Sequence, residues 1–369
     1  MKILIIGAGP IGCYTAGLLS GKRGDFDIEL IEEHDKIGKP VHCAGLVSKE
    51  VFSQAKIRID ESTIINHIDG AEFFYNGDSF KIERKDVAVV IDRERFDYAL
   101  GNGYKVNLNT KFVGIEKEGS GYLVETDKGE YYADIVIGAD GANSSVRKIV
   151  GFSEDIEYMR GVQFRMRYKR CHKNLVQVYL KRPFFAWVIP ENEDTVRAGI
   201  ISDNPYHDLI ELLKERFIEG EVIEKFAGIV PLGRCSTQLG NLVLVGDAAC
   251  QVKPLTNGGI YYGMRCAEIL ANCIINNRIS DYEKEWQAKF GKEIQIGLEI
   301  RKIYRSLSQE NINKLFTLLK RNKGILEKFG DFERHSLAIS VLVNNNQLRS
   351  FLGDVLINMM RVFSHKIKP

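Results

Sequence analysis

At 369 residues the chain can hold two domains, or one large domain with an inserted layer. Its 51 Lys and Arg balance 49 Asp and Glu, which argues against a nucleic-acid partner, and no apolar run approaches the roughly 18 residues of a membrane-spanning helix. The seven cysteines are odd in number, scattered and without a C-x-x-C pair, so neither a disulfide framework nor a zinc site is expected and a reducing cytosol is the default compartment.

The first stretch organises the rest. Lys2-Ile3-Leu4-Ile5-Ile6 is a short β-branched run that reads as a buried parallel strand. It enters the G-x-G-x-x-G turn of Gly7, Gly9 and Gly12, with Pro10 inside it, and residues 13–20 read as a helix of small and apolar residues. A second strand over residues 28–31 ends at Glu32, twenty residues after Gly12. Glycines here permit a tight turn and close approach of backbone to a pyrophosphate, the helix N-terminus offers free N–H groups, and the acid can accept from a ribose hydroxyl. Lys2 and the apolar run loosely resemble a secretory signal, but three glycines and a proline interrupt the would-be apolar core.

Residues 33–47 read as irregular backbone, containing Pro40-Val41-His42-Cys43-Ala44-Gly45. A loop at the carboxyl end of a parallel strand lies where open α/β sheets bind ligands, so Cys43 is either near a ligand or a buried small hydrophobe. Short strands follow at 73–75, 80–82 and 87–90, with a hairpin signal at Asn76-Gly77-Asp78. Asp92 is the expected N-cap of a helix through Leu100. Residues 104–109 return to a strand, 112–132 form a three-stranded meander, and 132–137 form another buried strand. That strand ends in Gly138-Ala139-Asp140-Gly141, with a helix starting near Asn143 or Ser144.

Residues 160–201 hold the strands of a second β layer, including the aromatic run of Phe184, Phe185 and Trp187, which serves either as core or as a substrate wall. Residues 207–217 are expected to be helical. A third nucleotide-type element follows: the strand 242–245, Gly246-Asp247-Ala248-Ala249, then Lys253-Pro254-Leu255-Thr256-Asn257-Gly258-Gly259-Ile260 and a helix over 261–275. From residue 279 the chain reads as helical, with segments at 281–305, 311–320, 334–343 and 348–364. Thirteen Lys and Arg stand against five acids from Arg301 onward, which makes either solvated helical faces or a surface that meets an anionic membrane.

Three nucleotide elements in this order resemble the flavoprotein group that includes p-hydroxybenzoate hydroxylase. Within it the chain resembles the geranylgeranyl reductases, including the archaeal digeranylgeranylglycerophospholipid reductases. Pro40-Val41-His42-Cys43-Ala44-Gly45 is similar to their P-x-x-C-x-G loop, and Asp92-Arg93-x-x-Phe96-Asp97 to their D-R-x-x-F-D segment. Gly246-Asp247-Ala248-Ala249 with Lys253-Pro254 and Gly258-Gly259-Ile260-Tyr261-Tyr262-Gly263 is close to their flavin segment. The family's Y-x-W-x-F-P-K strand departs here to Phe185-Ala186-Trp187-Val188-Ile189-Pro190-Glu191, ending in Glu in place of Lys. Thr256-Asn257-Gly258-Gly259 stands for the commoner Thr-Gly-Gly-Gly.

The resemblance implies an α/β fold with α+β insertions: a Rossmann-like FAD-binding domain, an antiparallel β-sheet substrate domain and a helical C-terminal region. The corresponding spans are 1–60, 92–150 and 235–280; then 61–91 and 151–234; then 281–369. It implies FAD bound by Gly7, Gly9, Pro10, Gly12, Glu32, Cys43, Ala44, Gly45, Arg93, Asp140, Gly246, Asp247, Pro254, Asn257, Gly258, Gly259 and Ile260, and no metal. It implies reduction of isoprenoid C=C bonds, with Cys43 near the flavin assisting proton delivery, Phe184, Phe185 and Trp187 walling the substrate, and Lys253 at the flavin's N1–C2=O edge. The substrate would be an isoprenoid lipid or geranylgeranyl diphosphate. The electron donor would be ferredoxin, another flavoprotein or NADPH, and the enzyme would be cytoplasmic with peripheral membrane contact through its basic helices. Two other readings stay open: an NAD(P)H- and oxygen-dependent hydroxylase of an aromatic or polyprenyl substrate, and a flavoprotein passing electrons to a membrane quinone.

Overall fold

The computed structural model describes residues 1–21, 26–169, 172–181, 184–216 and 218–344. Two sheets and a small meander carry the chain. The first sheet runs, edge to edge, Gln238–Leu239, Leu242–Leu244, Ile135–Gly138, Lys2–Ile6, Asp27–Ile31 and Val106–Asn107. All neighbours are parallel except the terminal hairpin. Lys2–Ile6 is central, and the chain leaves it toward Asp27–Ile31 on one side and returns as Ile135–Gly138 on the other. That reversal opens a crevice at the carboxyl ends of the central strands, where such sheets take ligands.

The helix Pro10–Ser20 starts with proline at its first turn, where the missing N–H is not needed. It packs against Ile260–Ile275 and Arg93–Gly101 in a core containing Ile5, Tyr14, Phe96, Leu270 and Tyr282. Asp92 caps Arg93–Gly101 by accepting from Arg95 N at 3.1 Å, as its sequence position predicts. The meander is Phe112–Glu118, Gly121–Thr126 and Gly129–Ala133, so Tyr132 and Ala133 belong to it and the buried strand begins only at Ile135.

The second sheet has eight strands: Val222–Cys235, Glu154–Arg167, Thr195–Ile201, Phe184–Pro190, Leu175–Lys181, Ile64–Tyr75, Asp78–Ile91 and Leu46–Ser48. It is antiparallel except where Leu175–Lys181 lies parallel to Ile64–Tyr75. The expected break at residues 84–86 is absent. Asp78–Ile91 is one strand, in which Asp86 takes φ +56° and donates its N–H to Asp69 at 2.7 Å. The edge strand Val222–Cys235 has no counterpart in the sequence reading, because Gly228, Pro231 and Gly233 interrupt its pattern; proline is tolerated there because the strand pairs on one side only. The expected strand at 104–109 is reduced to Val106–Asn107.

Alternation gives this sheet two apolar faces. Ala186, Val188, Ala198 and Ile200 pack against Leu209, Leu212 and Leu213 of the helix Pro205–Glu215. Ile68, Ala88, Val90, Val176 and Ile189 gather on a separate cluster. One helical run, Tyr282–Trp286 through the π turn Gln287–Gly291 to Lys292–Ser306, starts in the core of the nucleotide sheet and carries Ile296 and Ile300 to the cluster of Tyr75 and Phe80. Gly297 on it approaches so closely that an added Cβ would lie 3.0 Å from Pro254, and Arg301 donates to Pro254 O at 3.0 Å. Gln309–Arg321, Lys323–Phe329 and His335–Asn344 follow; Lys323–Phe329 has no counterpart in the sequence reading, and residues 348–364 lie outside the described residues. The apolar side of Gln309–Arg321, Ile312 and Phe316, is spent on Tyr75 and Phe80 at the hairpin tip, and Lys320 pairs with Asp78 at 2.5 Å. Among the described residues no helix is long and apolar enough to cross a membrane.

Candidate active site

Three strand ends meet in the crevice. Gly7, at φ +101°, donates to Ile31 O at 2.9 Å, and a Cβ there would lie 2.5 Å from Ala139 O. Gly12 is equally constrained, its missing Cβ falling 1.9 Å from Gly7 O. Gly9 differs: nothing described stands within 4 Å of its missing Cβ, so it opens onto the crevice beside Pro10. Glu32 stands at the tip of its strand as the motif requires. Its Oε2 accepts from Ala8 N at 2.8 Å and its Oε1 from His34 Nδ1 at 2.6 Å, so the acid is pre-oriented by a histidine the motif does not contain.

Asp140 Oδ2 accepts from Val146 N at 3.0 Å, while its Oδ1 is buried without a hydrogen-bond partner among the described residues. Burial pushes this carboxyl above the ordinary carboxylate value, opposed by hydrogen bonds from Ser144 and Val146. Gly141, at φ +77°, again opens on free space. Arg147, fully buried, clips this element to the third: it donates to Ala142 O at 3.0 Å, Ala248 O at 2.7 Å, Tyr158 Oη at 2.7 Å and Glu154 at 2.7 Å.

In the third element Gly246 takes φ +71° against Ile11. Asp247 follows, its carboxyl raised by burial and opposed by the charges of Arg93 and Arg147. Gly259 lies so close that a Cβ would fall 2.2 Å from Asp247 Oδ1. Asn257 adopts φ +61°, and both polar atoms of its amide are buried without partners among the described residues. Pro254 leads into this turn and Ile260 begins the helix after it. Orphaned buried polar atoms cost free energy unless a ligand meets them. A carboxylate and an amide left open around an open glycine turn fit the hydroxyls, pyrophosphate and pyrimidine edge of FAD.

Arg93 brings the loop of Cys43 to this cleft. It donates to Asp97 Oδ2 at 2.8 Å and Oδ1 at 3.2 Å and lies against the Cys43 thiol. Cys43 Sγ accepts from Gly45 N at 3.3 Å. Gly45, at φ +70°, leaves room for Arg197, whose Nη1 would lie 2.1 Å from an added Cβ. That guanidinium donates to Ala44 O at 2.7 Å and Ile91 O at 3.2 Å, and its Nε to Glu191 at 2.6 Å. Arg165 takes the other oxygen of Glu191 at 2.8 Å. The Glu that replaces the family's Lys is therefore the buried centre of an Arg–Glu–Arg set that holds the cysteine loop.

Trp187 Nε1 donates to Gln163 Oε1 at 3.0 Å, and its ring crosses Gly199, where no side chain fits. Phe185 lies 5.9 Å from it, centroid to centroid, and is half-buried on the same sheet face; the Phe184 side chain lies outside the described residues. Lys253 differs from expectation. Its ammonium turns to the C-terminal segment, pairing with Glu333 at 2.9 Å and donating to Phe332 O at 3.0 Å, so its charge is met by protein at that point.

A protein of Methanocaldococcus jannaschii of uncharacterized function is 33% identical over 371 residues, covering 92% of this chain and 94% of its own. The digeranylgeranylglycerophospholipid reductase of Methanosarcina acetivorans is 27% identical, covering 87% and 89%. The chain belongs to the geranylgeranyl reductase family. The fold of this family member agrees: a geranylgeranyl bacteriochlorophyll reductase-like protein of Thermoplasma acidophilum superposes with a TM-score of 0.80 at 22% identity, over 96% of this chain and 98% of that one. No family model matches the sequence.

Proposed function

We propose that this protein is an FAD-dependent reductase that saturates C=C bonds of geranylgeranyl chains in lipid precursors. The observation that carries the reading is the meeting of Cys43 and Arg93 with an open, FAD-fitting crevice under an apolar sheet face, in a chain whose curated relatives are named for that reduction.

Gly7, Gly9, Pro10 and Gly12 receive the pyrophosphate, Glu32 the adenosine ribose, and Asp140 and Asp247 the hydroxyl-rich chain. Asn257, Gly258, Gly259 and Ile260, with Pro254 behind them, hold the pyrimidine edge through an amide and helix N–H groups. Reduced FAD, when bound, supplies the hydride. An isolated alkene has no carbonyl to polarise, so the protein's task is to place a proton donor and exclude water. Cys43 is that donor. Its S–H gives a proton to the second alkene carbon, and the Arg93 guanidinium meets the negative charge left on sulfur. Ala44 and Gly45 set the thiol's position through Arg197. Trp187 and Phe185 form an apolar wall that orients the isoprenoid. The domain division follows the same logic: residues 1–60, 92–150 and 235–280 bind FAD, except that the strand Leu46–Ser48 pairs into the second sheet; 61–91 and 151–234 face the substrate, and the described helices from 281 to 344 close the site.

An external donor (ferredoxin, a flavoprotein or NADPH) recharges the flavin, and the basic C-terminal helices keep the protein at the inner membrane face. The test is anaerobic: the FAD-loaded protein is reduced with dithionite, mixed with geranylgeranyl lipid, and followed by flavin absorbance and product mass. Reoxidation matched by two added hydrogens per bond supports the reading. A flavin that stays reduced until oxygen is admitted discards it in favour of a hydroxylase. Cys43→Ala keeps FAD and loses turnover; unchanged turnover removes Cys43 from the mechanism.

A further inference from the structure

The loop between Lys323–Phe329 and His335–Asn344 carries Phe332 onto the second apolar face of the eight-stranded sheet. The cluster there, Ile68, Ala88, Val90, Val176 and Ile189, is buried. Ala44, Trp187 and Phe332 all pack against it and are each only half-buried. An apolar surface is thus left partly open beside the cysteine loop, with Phe332 at its margin.

Phe332 is pinned by polar groups. Lys253 Nζ donates to its carbonyl at 3.0 Å and lies 4.5 Å from its ring centroid. Glu333 pairs with the same ammonium at 2.9 Å, and its carbonyl accepts from Tyr262 Oη at 2.8 Å. Asp331 Oδ1 accepts from the N–H groups of Glu333 and Arg334 at 2.7 and 2.8 Å, fixing the turn. A buried ion pair is poor value as a source of stability, because desolvation offsets its attraction. What it delivers here is position: one aromatic ring held beside the Gly258 turn, where an added Cβ would meet Lys253 Cε at 2.9 Å.

We propose that Phe332 is a specificity-determining stop, standing at the edge of the half-buried apolar surface of Ala44 and Trp187 and limiting how much isoprenoid chain can lie along it. This rests on the isoprenoid reading above. Lys253, Glu333 and Tyr262 are the groups that keep the ring in place. A smaller residue admits a further isoprene unit, and a larger one admits less.

The test uses the FAD-loaded protein and two probes that differ by one isoprene unit, farnesol and geranylgeraniol, with affinities from calorimetry. Phe332→Ala should raise the affinity ratio of geranylgeraniol to farnesol by about tenfold or more, the order expected from burying one further apolar unit. Phe332→Trp should lower the ratio while farnesol binding persists. Phe332→Leu, a milder truncation, replaces Phe332→Ala if that variant fails to load FAD. The same ratio in wild type and all FAD-loaded variants overturns the proposal, as does binding of neither alcohol. A ratio that shifts as expected in a protein whose reduced flavin never reacts with isoprenoids keeps the stop and discards the reductase reading.

Discussion

Glu191→Leu probes the arrangement that holds the cysteine loop. Glu191 is 3% exposed and bridges two arginines, of which Arg197 is 10% and Arg165 37% exposed. Removing one partner of a buried pair leaves an uncompensated charge and costs about 3–5 kcal/mol. Nearly all of this falls on Arg197, since water screens Arg165, whose pairing contributes at most about 1 kcal/mol. The expected loss is about 3 kcal/mol, read from the urea midpoint at unchanged slope. Arg197 also supplies the hydrogen bonds to Ala44 O and Ile91 O, so alkylation of Cys43 by iodoacetamide should accelerate. Adding Arg197→Met removes the stranded charge and leaves only unpaired carbonyls, at about 1–3 kcal/mol each. The double variant should therefore lose less than the sum of the singles. A cost below about 1 kcal/mol for Glu191→Leu, or strictly additive losses with unchanged Cys43 reactivity, would refute the reasoning.

Gly9→Ala should leave the apoprotein's stability nearly unchanged, because its Cβ meets nothing, yet weaken FAD binding; Gly12→Ala, clashing with Gly7 O at 1.9 Å, should prevent folding. Calorimetric melting and FAD titration separate the two. Asp247 carries a carboxyl whose folded-state value is raised by burial, so it stabilises the cofactor-free protein fully below the ordinary carboxylate range, and that contribution is lost as pH rises through the raised value. Asp247→Asn should flatten that fall in melting temperature toward neutral pH while weakening FAD binding; an unchanged pH profile would contradict it. Arg147→Met strands the carbonyls of Ala142 and Ala248 and should cost about 3 kcal/mol or more, with FAD released during gel filtration.

The nucleotide elements were legible because their signals are local. Strand, glycines and helix N-terminus follow one another within a dozen residues, and Asp92 declares its helix by a cap three residues long in reach. The hairpin at Asn76-Gly77 was equally plain, both residues taking positive φ. What escaped depends on residues distant in the chain. Lys253 looked free in sequence because nothing marks Glu333 as its partner. Glu191 looked like a simple departure from the family strand until Arg165 and Arg197 were brought beside it by strand pairing. The strand Val222–Cys235 hid behind its own proline and glycines, since an edge position tolerates breaks that a central strand cannot.

The contact of Gly297 and Arg301 with Pro254 couples two regions that composition alone would separate. Pro254 belongs to the turn proposed above to meet FAD, whereas Gly297 and Arg301 belong to the helix that leads into the C-terminal layer. Whatever binds the native turn and not the unfolded chain must therefore also favour that helix. Loading with FAD should slow hydrogen exchange along Lys292–Ser306. By the same reciprocity, lesions in the helix should surface first as flavin loss, so that a colourless preparation can report damage in a segment that carries none of the redox chemistry.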